Sequence, residues 1–371
     1  MSDSTDELTP AITGIIQRVG VDTRTPARAP DTDAWDALRD SGFTAVGVPE
    51  GAGGAGGTLA DALGVVAAAA EQGALLPVVE HTALAAWLAA TTGYDLGSAT
   101  ATTAVADHRC RLRTDSGRAV LDGVIADVVF ADVAGILVVL IDPDADPDAE
   151  AQSSTVVVVS LRDARVTAEA GTDLVGVCVA DLTFDACPVL HVAPSTVDVH
   201  ELTGRGALAY AVASAGAARA VRDRTVQHAS DREQFGRPLS RFQAVQQHLA
   251  RLAALVAMTD TAASCAVEVV ESAGMTPASA EMALAAAKVV SSSSARQIAA
   301  IGHQIHGAMG FTAEHTLGRF TTELWAWRDR YGSERYWADV LASHILDDGF
   351  DVWDVVVAGG IGSPGADGAS R

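Results

Sequence analysis

Asp231-Arg-Glu-Gln-Phe-Gly-Arg-Pro-Leu-Ser-Arg-Phe-Gln243 is the stretch that decides the fold of this 371-residue chain. Gly236 can adopt the left-handed geometry that ends helices, and Pro238 prevents a helix from continuing, so we predict that a helix carrying Arg232 stops at Gly236. A guanidinium held at a helix end presents a planar fork of donors suited to a pyrophosphate. Gln243, at the start of the next predicted helix, offers an amide as a further hydrogen-bonding group.

A second informative stretch, Gln304-Ile-His-Gly-Ala-Met-Gly-Phe-Thr312, follows later in the chain. Gly307 and Gly310 lower its side-chain bulk, so we expect its backbone amides to approach a ligand closely. The two stretches together predict a cradle for a flavin adenine dinucleotide (FAD).

These two stretches resemble, position by position, the C-terminal domain of the acyl-CoA dehydrogenase flavoproteins, in which an R-x-x-F-G-x-x-L-x-x-x-Q segment precedes a Q-I-x-G-x-x-G-F-T segment. The resemblance is strong over residues 201–346 and weaker before them, where Val48-Pro-Glu50 is similar to the family's N-terminal signature. Family members hold FAD with these motifs across a subunit interface. The resemblance therefore implies these cofactor-binding residues: Arg232, Phe235, Gln243, Gln304, Ile305, His306, Gly307 and Ala308.

The residue pattern predicts an α+β multidomain fold of the acyl-CoA dehydrogenase type. Residues 1–100 show Ala and Leu at helical spacing and predict an N-terminal helical domain. Residues 101–195 contain short β-branched runs between Asp, Gly and Pro turns and predict a small middle β domain. Residues 196–350 predict a C-terminal four-helix bundle, and residues 351–371 form a tail. The bundle helices are expected at about 200–230, 240–272, 277–306 and 330–346.

Charge and composition argue against several classes of function. The net charge is −22, which opposes attraction to nucleic acid and to anionic membranes. The first residues are acidic and no apolar run reaches the roughly 18 residues needed to span a bilayer, so we expect a cytoplasmic protein. The four cysteines lack C-x-x-C spacing and are expected to be reduced and mostly buried.

One acidic loop deserves comparison with a calcium site. Residues 142–150 contain four alternating aspartates. The loop lacks the glycine and the terminal glutamate of an EF-hand, so we predict no bound metal.

The catalytic positions are where the chain departs from the family. Desaturation of an acyl-CoA needs a base to remove the α proton while the flavin accepts the β hydride. The resemblance implies a glutamate at one of two positions, and these hold Tyr331 and Gly206 here. We therefore predict no catalytic residue in this chain. Nearby carboxylates are weak substitutes: Glu201, Asp329 and Glu334.

The middle domain departs from the family as well. The segments that normally contact the flavin ring correspond to residues 103–108 and 117–129, in which the family's loop is shortened and its Trp and Thr are missing. The nucleotide half of the site is thus present and the flavin-ring half is not. This asymmetry resembles the base-lacking subunit of actinobacterial heterotetrameric acyl-CoA dehydrogenases.

That resemblance implies a set of partners. They are an acyl-CoA thioester, a homologous dehydrogenase subunit in an α2β2 assembly, and an electron-transfer acceptor. Two alternatives stay open: a self-sufficient homo-oligomeric acyl-CoA oxidoreductase with an atypical base, and a non-enzymatic scaffold of the same fold.

Overall fold

The computed structural model describes residues 3–24, 26–27, 29–143 and 153–346. Most of the aspartate-rich loop and the whole of the predicted tail lie outside the described residues.

The N-terminal region is helical, as predicted. It contains α1 (Asp3–Val19), α2 (Thr32–Asp40), α3 (Leu59–Gln72) and α4 (Ala86–Thr91), the last of which continues a π-helical segment, Val78–Ala85. A reciprocal pair of bonds starts α3: Thr58 Oγ1 accepts from the Asp61 amide, and the Asp61 carboxylate accepts from the Thr58 amide.

Seven strands form the middle region between residues 101 and 194. They are β1 (Ala101–Ala106), β2 (Cys110–Asp115), β3 (Arg118–Val129), β4 (Ile136–Ile141), β5 (Thr155–Ser160), β6 (Val166–Thr172) and β7 (Cys178–Pro194). The order is β1-β4-β5-β7-β3-β2, with β6 also paired to β7. The long β7 joins two parts of the sheet, because residues 178–184 pair with β3 and β6 while residues 189–194 pair with β5.

The C-terminal region contains the four predicted helices and one more. The predicted helices are α5 (Val199–Asp231), α6 (Gln243–Ala273), α7 (Ala278–His306) and α9 (Glu334–Leu346). The additional helix, α8 (Leu317–Trp327), buries Leu317, Phe320 and Leu324 beneath α5 and α7. Buried alanines of α5 pack against α3, which joins the bundle to the N-terminal helices.

The turn after α5 differs from the prediction. The helix ends at Asp231, not at Gly236, and Arg232 already has extended backbone with φ −80° and ψ 117°. Two short strands follow, β8 (Glu233–Gln234) and β9 (Arg237–Pro238), joined by Phe235 and Gly236 with φ of 54° and 79°. Such a pair of positive φ values is the geometry of a two-residue hairpin turn. Gly236 therefore serves a hairpin rather than a helix cap.

The length of α6 corrects one expectation. This helix has 31 residues, and an 18-residue window within it has a mean hydropathy of 1.5, so the helix is long and apolar enough to cross a membrane by length and composition. Its described environment is a bundle, in which Leu252, Val256 and Ala266 are buried. Arg219 of α5 forms an ion pair with Asp260 near the middle of α6.

Three of the four cysteines are buried, as expected. They are Cys110, Cys178 and Cys187, and burial raises the pKa of each thiol. Cys265, on α6, is exposed.

Candidate functional site

The turn after α5 forms the first wall of the candidate site. The Arg232 amide donates to the His228 carbonyl at 2.9 Å, and the Arg232 carbonyl accepts from the Leu239 amide at 2.9 Å. These two bonds hold the backbone of Arg232 while its side chain stays exposed. Among the described residues, its guanidinium has no hydrogen-bond or ion-pair partner. The group is therefore fixed at its base and free to bind an anion.

The end of α7 forms the second wall. The helix stops at His306, and Gly307, with φ 62°, starts a 3-10 turn that runs to Phe311. A Cβ added to Gly307 would meet nothing within 4 Å, so this glycine faces open space. A Cβ added to Gly310 would lie 2.8 Å from the His306 Cβ. Gly310 therefore allows the turn to pack on α7. The sequence had predicted instead that Gly310 would let a ligand approach the backbone.

A cavity of about 500 Å³ lies between the two walls. Six of the eight predicted cofactor-binding residues line it: Arg232, Gln304, Ile305, His306, Gly307 and Ala308. The fold thus brings together residues from α5 and α7 that are distant in sequence.

A second cavity, of about 560 Å³, lies on the other side of the α7 end. It shares Gln304, Gly307 and Ala308 with the first cavity, and Phe311 and Trp325 supply its aromatic surface. Both volumes are in the range of small-molecule binding sites.

The other two predicted residues do not line either cavity. Phe235 lies at the hairpin tip with 91% of its surface exposed, and its ring meets Phe242 edge-on with centroids 6.2 Å apart. Gln243 is the exposed first residue of α6. Its neighbours Ala244 and Val245 line the first cavity instead.

The donor groups around the first cavity fit the phosphates of a dinucleotide. The N-terminus of α6 has no side-chain cap, so its first amides remain available beside Ala244 and Val245. Helix N-termini favour anions through these amides and through the helix dipole. The unpaired Arg232 adds a fixed positive charge, and Gly307 leaves the approach clear.

Two titratable lining residues were missed in the sequence. His228 lies in the last turn of α5, and His248 lies on α6. The Arg232 amide donates to the His228 carbonyl, which keeps the two residues close together although Arg232 lies beyond the helix.

Comparisons with known proteins show which family the C-terminal region resembles. The family described as "Acyl-CoA dehydrogenase, C-terminal domain" matches residues 199–347. Residues 199–347 thus belong to the acyl-CoA dehydrogenase family. FAD is the cofactor of this family.

Two curated acyl-CoA dehydrogenases match in sequence. The chain is 33% identical over 138 residues to IpdE2 of Mycolicibacterium smegmatis, covering 37% of this chain and 42% of that protein. It is 30% identical over 305 residues to FadE34 of Mycobacterium tuberculosis, covering 77% of this chain and 38% of that protein. The matches thus span about two fifths of the length of these curated relatives.

One solved structure shows the same fold over almost the whole chain. It is the ChsE4–ChsE5 complex from Mycobacterium tuberculosis, with a TM-score of 0.79 and 20% identity. The superposition covers 94% of this chain and 98% of the other. Butyryl-CoA dehydrogenase from Megasphaera elsdenii superposes with a TM-score of 0.81 and 17% identity over 93% of this chain and 99% of the other, so the acyl-CoA dehydrogenase fold extends beyond the matched C-terminal domain.

The two positions where this family would carry a glutamate base contact each other directly. A Cβ added to Gly206 would lie 2.4 Å from the Cγ atom of Tyr331. The Tyr331 ring therefore fills the space above α5 that a side chain at position 206 would need. The ring also stacks on Tyr210, with centroids 6.1 Å apart. Burial raises the pKa of the Tyr331 phenol, which makes it unsuited to act as a base at neutral pH.

Two of the three nearby carboxylates, Glu334 and Glu201, lie away from the cavity beside Tyr210. Glu334 forms an ion pair with Arg328 at 3.2 Å. Glu201 lies in the first turn of α5, where its amide donates to the capping carboxylate of Asp198 at 2.7 Å. Neither carboxylate lines the cavity beside Tyr210.

That neighbouring region is filled by side chains. The cavity beside Tyr210 holds about 30 Å³, enough for a water molecule but not for an acyl chain. Glu80 lines this cavity and accepts a hydrogen bond from the Tyr210 hydroxyl. Burial raises the pKa of Glu80. Opposite, Arg330 forms an ion pair with Asp173 at 3.1 Å.

The threonine hydroxyl groups of β1 donate hydrogen bonds to backbone carbonyls of the sheet region. Thr102 Oγ1 donates to the Val129 carbonyl at 2.7 Å, and Thr103 Oγ1 donates to the Val138 carbonyl at 2.9 Å. Both side chains are buried. They are therefore not placed to hydrogen-bond a flavin ring in the way the family's middle-domain loop does.

Proposed function

We propose that this chain is the base-lacking subunit of a heteromeric, FAD-dependent acyl-CoA dehydrogenase. It completes the nucleotide half of an FAD site whose base and flavin-ring contacts come from a homologous partner subunit in an α2β2 assembly. FAD, when bound, supplies the hydride acceptor for α,β-desaturation of an acyl-CoA thioester. The proposed setting is the cytoplasm, with an electron-transfer protein as the final acceptor.

The contact between Tyr331 and Gly206 carries this proposal. It occupies both positions from which the family's base would act, and the adjoining cavity of about 30 Å³ has no room for an acyl chain. The nucleotide cavity is by contrast open, with an unpaired Arg232 at its wall. Side chains thus fill the acyl half of a dehydrogenase site, while the nucleotide half is open to a ligand.

The chain's own residues have binding roles in this proposal. Arg232 and the α6 N-terminus bind the pyrophosphate, and Gln304 with Gly307 orients the nucleotide against the α7 end. Exposed apolar side chains near this end, Met309 and Phe311, give a surface that a partner subunit can cover. The similar ChsE4–ChsE5 structure is itself a complex of two chains.

Co-expression with the neighbouring dehydrogenase gene tests the proposal. We expect little FAD and no desaturation from this chain alone, and both from the assembly. Arg232→Ala should lower the affinity of the assembly for FAD by roughly ten- to a hundredfold, as expected for loss of a charged hydrogen bond. Arg241→Ala is the matched control, since Arg241 is exposed nearby but does not line the cavity. An FAD content unaffected by Arg232→Ala would contradict the assigned role.

Glu80 supports a second candidate, a self-sufficient oxidoreductase with an atypical base. Its buried carboxyl has a raised pKa, and such groups are common among catalytic bases. Desaturation by the chain alone that disappears in Glu80→Gln would favour this candidate. The small cavity beside Glu80 favours the heteromer, because substrate has no path to the carboxylate in the described structure.

A further inference from the structure

Three histidine rings meet at the wall of the nucleotide cavity. His228 of α5 stacks on His306 of α7, with centroids 4.3 Å apart and an angle of 24° between the rings. His315, just before α8, meets His306 edge-on at 4.9 Å. Both His228 and His306 line the cavity of about 500 Å³. The helical framework thus places a stacked imidazole pair beside Arg232.

Backbone contacts fix the protons of two of these rings. His306 Nδ1 lies 2.8 Å from the Gly302 carbonyl, which can only accept, so this nitrogen carries a proton. Neutral His306 therefore has a bare lone pair on Nε2. His315 Nδ1 accepts from the Leu317 amide at 3.1 Å, so the proton of neutral His315 is on Nε2. An anion can gain a hydrogen bond from His306 Nε2 only after that nitrogen is protonated.

The charges around the pair keep it neutral in the free protein. Burial, with the neighbouring His315 and Arg232, lowers the pKa of His228. Burial, with the neighbouring histidines, lowers the pKa of His306 to about 4. The titratable and charged groups that face the cluster are Arg224, Asp231 and Arg232 on α5, His248 on α6, His303 on α7, and His315. Asp231 is the one anion among them, so a bound pyrophosphate would reverse the local balance of charge.

We propose that the His228–His306 pair binds the pyrophosphate of the dinucleotide and takes up one proton from solvent when it does so. This inference rests on the nucleotide site of the proposed function. The two stacked rings are too close for both to carry a charge, so they share a single proton. Protonation and binding favour each other, since the phosphate charge stabilises the imidazolium.

The sign of the pH dependence follows from this linkage. The pKa of the pair is higher in the complex than in the free protein, so the complex holds more protons. Affinity therefore rises as the pH falls, by up to about tenfold per unit, in the window between the two pKa values. Above this window the affinity is constant and rests on Arg232 and the α6 N-terminus.

Titration calorimetry with ADP-ribose and the co-expressed assembly, freed of FAD, tests the inference. ADP-ribose presents the pyrophosphate as a diester, which has no proton to exchange near neutral pH. Measurements between pH 5.5 and 8 in two buffers of different ionisation enthalpy give the number of protons taken up. We expect about one proton at the acidic end of the range and tighter binding there.

The double variant His228→Gln/His306→Gln provides the decisive test, because it keeps a polar wall but neither side chain can be protonated. We expect it to bind ADP-ribose with little proton uptake and with an affinity that changes less than twofold over the range. His108→Gln, in the exposed turn before β2, is the control and should behave as the unsubstituted chain does. Histidine ring NMR of the unsubstituted chain provides an independent reading, namely a rise in the pKa of the pair on adding ADP-ribose.

The outcomes separate the inference from the proposed function. Binding of ADP-ribose without proton uptake, or unchanged uptake in His228→Gln/His306→Gln, would overturn the role of the pair and leave the nucleotide site standing. Absence of ADP-ribose binding at every pH would contradict the nucleotide site itself.

Discussion

Adding one methyl group at position 206 tests the packing on which the proposed function depends. Gly206→Ala places a Cβ 2.4 Å from Tyr331 Cγ, 2.5 Å from Cδ1 and 2.7 Å from Cδ2. Carbon atoms in contact normally lie about 3.5–4.0 Å apart, so the ring must move by roughly 1 Å. The ring is not free to move. It stacks on Tyr210, and the Tyr331 carbonyl accepts from Trp337 Nε1 at 2.9 Å.

The magnitude follows from two opposed effects. Overpacking of this kind destabilises a protein by about 1–3 kcal/mol. Replacing glycine by alanine within a helix stabilises it by roughly 0.5–1 kcal/mol. We therefore expect Gly206→Ala to be destabilising while Tyr331 is present and mildly stabilising in a Tyr331→Ala background. The coupling energy between the two sites should be about 1–3 kcal/mol.

Urea denaturation of the four chains in this double-mutant cycle measures the coupling. Gly14→Ala is the control for helix propensity, because a Cβ at this position of α1 would meet nothing within 4 Å. It should stabilise the chain by roughly 0.5–1 kcal/mol. A coupling energy below about 0.5 kcal/mol would show that the Tyr331 ring does not occupy the space above Gly206.

Two further predictions concern Glu323 and Phe235. Burial raises the pKa of Glu323 to about 8 from its usual 4.5, so the free energy of unfolding falls as the pH rises through this interval, because the carboxyl ionises in the unfolded chain while the buried carboxyl stays protonated. The stability of Glu323→Gln relative to the unsubstituted chain should therefore increase by roughly 1.4 kcal/mol per pH unit between these values. A difference between the urea midpoints of the two chains that is the same at pH 5 and at pH 8 would contradict this. Phe235→Ser should leave the unfolding free energy within about 0.5 kcal/mol, since the side chain is 91% exposed, but should lower FAD retention in the co-expressed assembly. Full FAD retention would remove Phe235 from the site.

Sequence patterns predicted those parts of the fold that depend on local signals. The run Thr155–Ser160, one of the β-branched runs of the predicted middle domain, forms β5, because four consecutive valines favour a buried strand. The helix α7 lies within one residue of its predicted bounds, because its long periodic pattern of apolar residues is also a local signal. The motif residues around Arg232 and Gln304 were placed on one cavity by resemblance and are found there.

The elements that sequence patterns missed depend on distant contacts. Arg319 and Glu323 of α8 are polar yet buried, so the apolar periodicity of that helix is hidden. Glu80 gave no signal, because its burial depends on Tyr210, which lies far away in the sequence. Phe235 adopts a positive φ that few non-glycine residues tolerate, so a helix ending at Gly236 was the natural prediction.

The packing around Tyr331 also makes the missing base hard to restore. Glutamate at position 206 would meet the Tyr331 ring through its Cβ alone. Glutamate at position 331 would remove the ring that stacks on Tyr210 and would place a second carboxyl near the buried Glu80, which raises the pKa of both. Neither single substitution should therefore produce a dehydrogenase from this chain alone.

The packing of Tyr331 on Gly206 does not affect the wall of the nucleotide cavity, because this wall lies at the other end of α5. Gly206 is near the beginning of α5 and Arg232 follows its end, about 39 Å apart at the rise of an α-helix. Changes that fill the acyl region leave the turn after α5 and the end of α7 undisturbed. One helix can thus lose its share of the chemistry at one end and keep its share of cofactor binding at the other. Desaturation activity in the isolated Tyr331→Glu variant would refute this separation.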